Sequence, residues 1–136
     1  MDPKIFEPTV NKTNKWLHEL SEQMKMEERD TYKGLRATLH LLRDRLTVEE
    51  ATDLAAQLPL LLKGVYYDGY DPSKTPVKMD GSALISRVHS YFDNDPDVDP
   101  EYVVTGVLDF LNEKISKGQM EHVRSDVPND IKELLM

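Results

Sequence analysis

There is no cysteine among the 136 residues, so disulfides and thiolate metal sites are excluded, and a reducing cytoplasm is the expected setting. Aromatic residues are few, at 7% with one tryptophan, and six glycines and eight prolines are a modest number. Both shortages lean toward helices. No apolar run approaches the roughly 20 residues that a membrane span needs. The opening MDPKIFEPTV lacks a basic region leading into an apolar core, so no secretory signal is expected. Positive charge is in deficit: the formal net charge is −8, which argues against general nucleic-acid binding, since that draws on Lys and Arg against phosphate. The deficit is uneven, with a net of −2 over residues 1–70 and −6 over residues 71–136.

What is present describes an ordinary globular chain, 39% hydrophobic and 31% charged, long enough for one domain with a real core. The densest apolar and aromatic stretch is LTVEEATDLAAQLPLLLKGVYYDGY, residues 46–70. Thr47-Val-Glu-Glu50 has the form of a capping box at a helix start. Ala51, Leu54, Ala55, Leu58, Leu61, Leu62 and Val65 then keep helical phase through Pro59, where the helix must kink or restart.

Before that stretch, residues 1–13 hold Pro3 and Pro8 and read as an extended arm pinned by Ile5, Phe6 and Val10. Asn14 is a candidate cap for a first helix to about Met26, with Trp16, Leu17, Leu20 and Met24 at helical spacing. Asp30 or Thr31 would cap a second, whose stripe is Leu35, Leu39, Leu42 and Leu46. After it, Gly69 and the proline-bearing residues 71–81 read as a linker. Ser82 would cap a helix with Leu84, Ile85, Val88, Tyr91 and Phe92 inward, and Asp99-Pro100 starts another carrying Val104, Val107, Leu108 and Leu111 to near Ile115. Ser116–Gln119 repeats the capping-box form, and apolar phase runs on past Pro128 to Leu135.

Residues 30–66 align with 99–135 without a gap: Asp30 meets Asp99, Leu39 meets Leu108, Leu46 meets Ile115 and Pro59 meets Pro128. An internal duplication accounts for this. The expected architecture is an all-α, single helical bundle of two related multi-helix repeats, about 14–70 and 82–136, each with a proline-kinked or proline-restarted last helix and both closing one core.

The stretch LRATLHLLRDRL (Leu35–Leu46), the acidic pair Glu49-Glu50, Leu58-Pro59, Lys63-Gly64 and Tyr66-Tyr67-Asp68-Gly69-Tyr70 together resemble the signature of a bacterial family, domain of unknown function 2267. The resemblance covers nearly the whole chain and implies a compact all-helical domain. The family has no established activity, so it brings no catalytic residue with it.

Three groups stand out as candidate sites. Arg29, Lys33, Arg36, His40 and Arg43 follow at spacings of four, three, four and three, opposite the leucine stripe. They would hold an anion, an acidic helix or a second copy, or else form an ordinary solvated face. Tyr67 and Tyr70 suit a binding corner, while Tyr66 belongs to the core side. Asp93, Asp95, Asp97 and Asp99 alternate like the start of a calcium loop, but neither register supplies the glycine and glutamate that loop requires. His18, His40, His89 and His122 lie on separate helices without zinc-ligand spacing, and no phosphate-cradling or nucleophile-elbow motif is present.

The sequence therefore predicts a non-enzymatic protein-interaction or self-association module without cofactor or metal, a homodimer being one form of it. Its candidate surface is Arg36, His40, Arg43, Tyr67 and Tyr70. The alternative is a small-molecule binder or cryptic enzyme with a pocket between the repeats.

Overall fold

A computed structural model of the chain describes residues 3–115. Among these there are six α-helices and no strand. They are α1 (Glu7–Met24), α2 (Glu28–Arg45), α3 (Val48–Ala55), α4 (Leu60–Tyr67), α5 (Gly81–Ser90) and α6 (Pro100–Lys114).

Helix α1 begins seven residues before the expected cap at Asn14, so most of the anticipated arm is helical. Pro8 is the reason. It falls in the first turn, where the amide that proline lacks has no intrahelical partner in any case and its fixed φ suits the helix. Ile5, Phe6 and Val10 do not pin this end; they are 67%, 49% and 38% exposed. The helix closes at Lys25, whose left-handed φ of 55° lets Met26 N–H reach the Ser21 carbonyl at 3.1 Å.

Helix α2 starts two residues ahead of Asp30, and the Thr31 hydroxyl donates to the Glu27 carbonyl at 2.9 Å instead of capping amides. The leucine stripe is buried as its spacing predicts, from Leu35 through Leu46. The rest of the helix is buried too: Ala37, Thr38, His40, Leu41, Arg43 and Asp44 are all shielded from solvent. The cause is that α1, α4, α5 and α6 all pack on α2, so it has little outward face in its last three turns.

The Thr47 capping box forms as read, with Glu50 N–H donating to Thr47 Oγ1 and Thr47 N–H donating to Glu50 Oε1, both at 3.2 Å. Pro59 restarts the helix instead of kinking it: α3 ends at Ala55 and Pro59 is the cap of α4. A proline side chain cannot accept a hydrogen bond from the new helix's amides. The acceptor comes from α1, where Thr9 Oγ1 takes the Leu61 N–H at 2.9 Å. Leu61, one of the residues in helical phase, is 45% exposed.

In the second half Asp80, not Ser82, caps α5, accepting from Ala83 N–H at 2.8 Å. Asp99 caps α6 with Pro100 in the first helical position, as expected. Two glycines set how closely α6 approaches its neighbours. A β-carbon at Gly34 would stand 2.6 Å from Val103 Cγ1, and one at Gly106 would stand 2.9 Å from Met24 Cγ. Trp16 meets Phe110 edge-on, ring centres 5.7 Å apart. Leu39 and Leu108 belong to one buried cluster running through all six helices.

Helices α2 and α6 end alike, Leu46 and Ile115 both extended and both donating to a carbonyl four residues back. Their starts do not coincide, since α2 begins at Glu28 while Asp99 aligns with Asp30. The expected counterpart of α3 and α4, with the second capping box and Pro128, lies outside the described residues. No helix among the described residues is long and apolar enough to cross a membrane.

Candidate functional site

The stretch that resembles a family signature folds back on itself. Helix α4 ends at Tyr67, and its last carbonyls have no intrahelical partner. Two α2 side chains supply donors. His40 Nε2 donates to the Val65 carbonyl at 2.8 Å, and Arg43 Nη1 donates to the carbonyls of Tyr66 and Asp68 at 2.8 and 2.6 Å. The Tyr67 carbonyl takes the Tyr70 N–H at 2.9 Å. A cation at this end also meets the negative pole of the helix dipole. The turn that presents these carbonyls needs Gly69, at φ +82°, where a side chain would be strained.

Arg43 carries a second load. Its Nε donates to Asp44 Oδ1 at 3.0 Å, and Arg87 of α5 donates to Asp44 Oδ2 from the other side. Arg43 and Asp44 are only 5% and 7% exposed, so a carboxylate between two guanidiniums ties α2, α4 and α5 together. The Asp44 main chain also accepts from Val77 N–H at 2.6 Å, and Arg45 donates to the Val77 carbonyl, which fastens the linker to the end of α2. Further out, Arg36 Nη2 pairs with Asp68 Oδ2 at 3.1 Å.

His40 is held neutral. The Val65 carbonyl can only accept, so Nε2 bears the proton and Nδ1 accepts from the Tyr91 hydroxyl at 2.8 Å. Burial pushes its pKa below the ordinary 6.5, and the Arg43 and Arg36 charges push the same way. Burial likewise raises the Tyr66 phenol, which donates to the Ala51 carbonyl at 2.9 Å.

The sequence thus placed His40 and Arg43 on the wrong kind of surface. They share a helical stripe with Arg29 and Lys33, but only the outer part of that stripe reaches solvent, because α4 covers the rest. Tyr67 and Tyr70 are half-buried and packed on each other, ring centres 5.6 Å apart, with the Arg43 guanidinium 5.8 Å from the centre of the Tyr70 ring. His40 and Arg43 thus latch α2 to the end of α4 from inside the fold, with Arg36, Tyr67 and Tyr70 partly exposed around them.

The other candidates resolve simply. Asp99 is a helix cap, and Asp95 Oδ1 accepts from Asp97 N–H at 2.9 Å. Among the described residues no three His, Cys, Asp or Glu side chains are grouped to hold a metal. His18 is an exposed surface group, 3.1 Å from both Glu22 and Glu28, which raise its pKa, Glu28 foremost. His89 donates to the Asp95 carbonyl at 2.6 Å. His122 lies outside the described residues.

Sequence reasoning missed a groove. Between α1, α2 and α4 lies an apolar channel of about 260 Å³, floored by Leu17, Leu35, Leu62 and Val65 and edged by Tyr32 and Leu61. Phe6 and Val10 precede Leu17 by eleven and seven residues, which puts them on the same side of the chain as Leu17, N-terminal to the residues that line the groove. The signal was present in the phase of Phe6, Val10 and Leu17 but was hidden by reading Pro8 as a break.

This fold and this pinned helix end define a small all-helical protein built around one central buried helix. The family model for an uncharacterized conserved protein, DUF2267, matches residues 13–134, and the chain belongs to that family. No curated protein matches it.

Proposed function

We propose that the protein is a non-enzymatic interaction module that docks a protein partner in the groove between α1, α2 and α4. The observation that carries this reading is where the exposed large apolar residues lie. Among the described residues Ile5, Phe6, Val10, Tyr32, Leu60 and Leu61 stand on the start of α1, the start of α4 or the facing turn of α2, and only Val48 and Tyr102 stand elsewhere. Scattered apolar residues on a surface are ordinary, but a contiguous set marks an interaction site. The buried polar side chains are bonded inside the fold, His40 to Tyr91 and the Val65 carbonyl and Arg43 to Asp44, and none of them lines the groove. The channel is lined mainly by apolar side chains, with Thr13 and Asn14 of α1 as its polar residues, and it carries no charged or histidine side chain of the kind that orients a reacting substrate.

The test compares two immobilised proteins, wild type and Leu61→Asp, by quantitative mass spectrometry of what each retains from the native cell at low salt. Leu61 is exposed, so the substitution should leave the melting temperature almost unchanged. One or more proteins retained by wild type and lost from the variant is the expected result. Identical retention by both would remove the groove from consideration.

A further inference from the structure

We infer that the occupant of this groove is an amphipathic helix with an acidic flank, presented by a partner protein. The inference rests on the docking reading above and adds the chemistry of the ligand.

Its basis is the charge along one wall. Tyr32 lines the groove, and Arg29 and Arg36 lie one helical turn before and after it on the same side of α2, with Lys33 next around the helix. Arg36 is paired with Asp68. Arg29 and Lys33 have no ion-pair partner among the described residues. Of the acidic groups of the neighbouring turns, Glu28 and Glu22 meet His18 and Glu19 meets Lys114, while Asp30 lines a separate hollow with Asp97 and Asp99 and Glu27 is exposed at the residue before α2. Glu7, at the far end of α1, is the acidic group left on that wall. A protein of net charge −8 therefore places two cations without an ion-pair partner among the described residues beside a largely apolar groove.

The shape agrees. From the exposed Val10 to Leu17 this side of α1 runs about 10 Å at 1.5 Å per residue, which accommodates about two turns of helix. Leu17, Leu61, Leu62 and Val65 would receive apolar side chains recurring at three and four residues, the usual mode of a helix laid in a groove. Carboxylates on the flank of that helix would meet Arg29 and Lys33. Such pairs at a rim act mainly on association rate and partner choice.

The experiment selects from a displayed library of random peptides of about 14 residues on wild type, with counter-selection on Leu61→Asp. The enriched sequences should carry three or four apolar residues at helical spacing and a net negative charge. A synthetic peptide taken from that set should bind the double variant Arg29→Glu, Lys33→Glu at least tenfold more weakly by fluorescence anisotropy, and its affinity for wild type should fall with added salt. Enrichment of neutral or basic peptides that still need Leu61 would overturn the acidic occupant and leave the docking reading standing. Absence of any Leu61-dependent enrichment would overturn both. A concentration-dependent dimer of wild type in light scattering, lost in Leu61→Asp, would make a second copy the occupant and overturn the partner helix.

Discussion

Arg43 reaches the main-chain carbonyl of Tyr66, twenty-three residues further along the chain, at 2.8 Å. The same Nη1 reaches the carbonyl of Asp68 at 2.6 Å while Nε holds the Asp44 carboxylate. One planar guanidinium thus closes a helix end and neutralises a buried acid, a combination that follows from its fork of fixed donors.

Loss of that group should be severe. Arg43→Met leaves Asp44 beside Arg87 alone and the two carbonyls without donors, and removing one partner of a buried pair costs about 3–5 kcal/mol. Arg43→Lys should recover only part of this, because a single ammonium cannot cover both sides. Asp68→Ala should cost less than about 1 kcal/mol, since its carboxylate is exposed and its contribution to the latch is its backbone. Urea denaturation of the three variants ranks them, and equal losses for Arg43→Met and Asp68→Ala would contradict the latch.

His40 makes stability depend on pH with a defined sign. Its folded pKa lies below the ordinary 6.5, so between those two values the unfolded chain binds the extra proton. The contribution of neutral His40 is complete above about pH 6.5 and declines as pH falls through the window beneath it. His18 acts with the opposite sign but is exposed. Wild type should therefore lose stability from about pH 7 to about pH 5 more steeply than His40→Gln. Parallel slopes in urea titrations of the two proteins would disprove the assignment.

Three helical glycines, Gly34, Gly64 and Gly106, should separate into three outcomes on conversion to alanine. At Gly34 the new methyl meets the stiff β-branched Val103 at 2.6 Å, and overpacking of this kind costs about 1–3 kcal/mol. At Gly106 it meets the flexible Met24, which can move aside, so the gain in helix propensity roughly cancels the strain. At Gly64 nothing stands within 4 Å, and the variant should be more stable by about 0.5–1 kcal/mol. Thermal melts check the order; a stable Gly34→Ala would mean that α2 and α6 are further apart than described.

Thr47→Ala should cost about 1 kcal/mol, because both arms of the capping box depend on that residue. The effect should be local. Hydrogen exchange of the first amides of α3 should accelerate while those of α2 stay protected, and a uniform acceleration would show that α3 has no separate opening.

The helices themselves were readable because their signals are local. Thr47-Val-Glu-Glu50, Asp99-Pro100 and Pro59 act through neighbours within one turn, so their effect does not depend on the rest of the fold. The reading of Pro8 failed at the same level: a proline in a first turn and a proline in an arm have identical local sequence, and only the helical phase of Phe6, Val10 and Leu17 distinguishes them. The reading of His40 and Arg43 as surface residues failed for a different reason. A helix exposing one face and a helix covered on nearly all sides can both carry Arg and His at spacings of three and four, because buried polar groups are allowed wherever partners satisfy them.

By itself the sequence determined the all-helical class, the inward leucine stripe of α2, the capping box of α3 and an interruption of the helix at Pro59, since each follows from periodicity or one-turn chemistry. Tertiary structure alone decided that His40 and Arg43 close the end of α4 and that the start of α1 leaves an apolar groove beside Arg29 and Lys33. Both depend on which helix lies against which, and that is set by the packing of side chains far apart in the chain, where no local pattern records it.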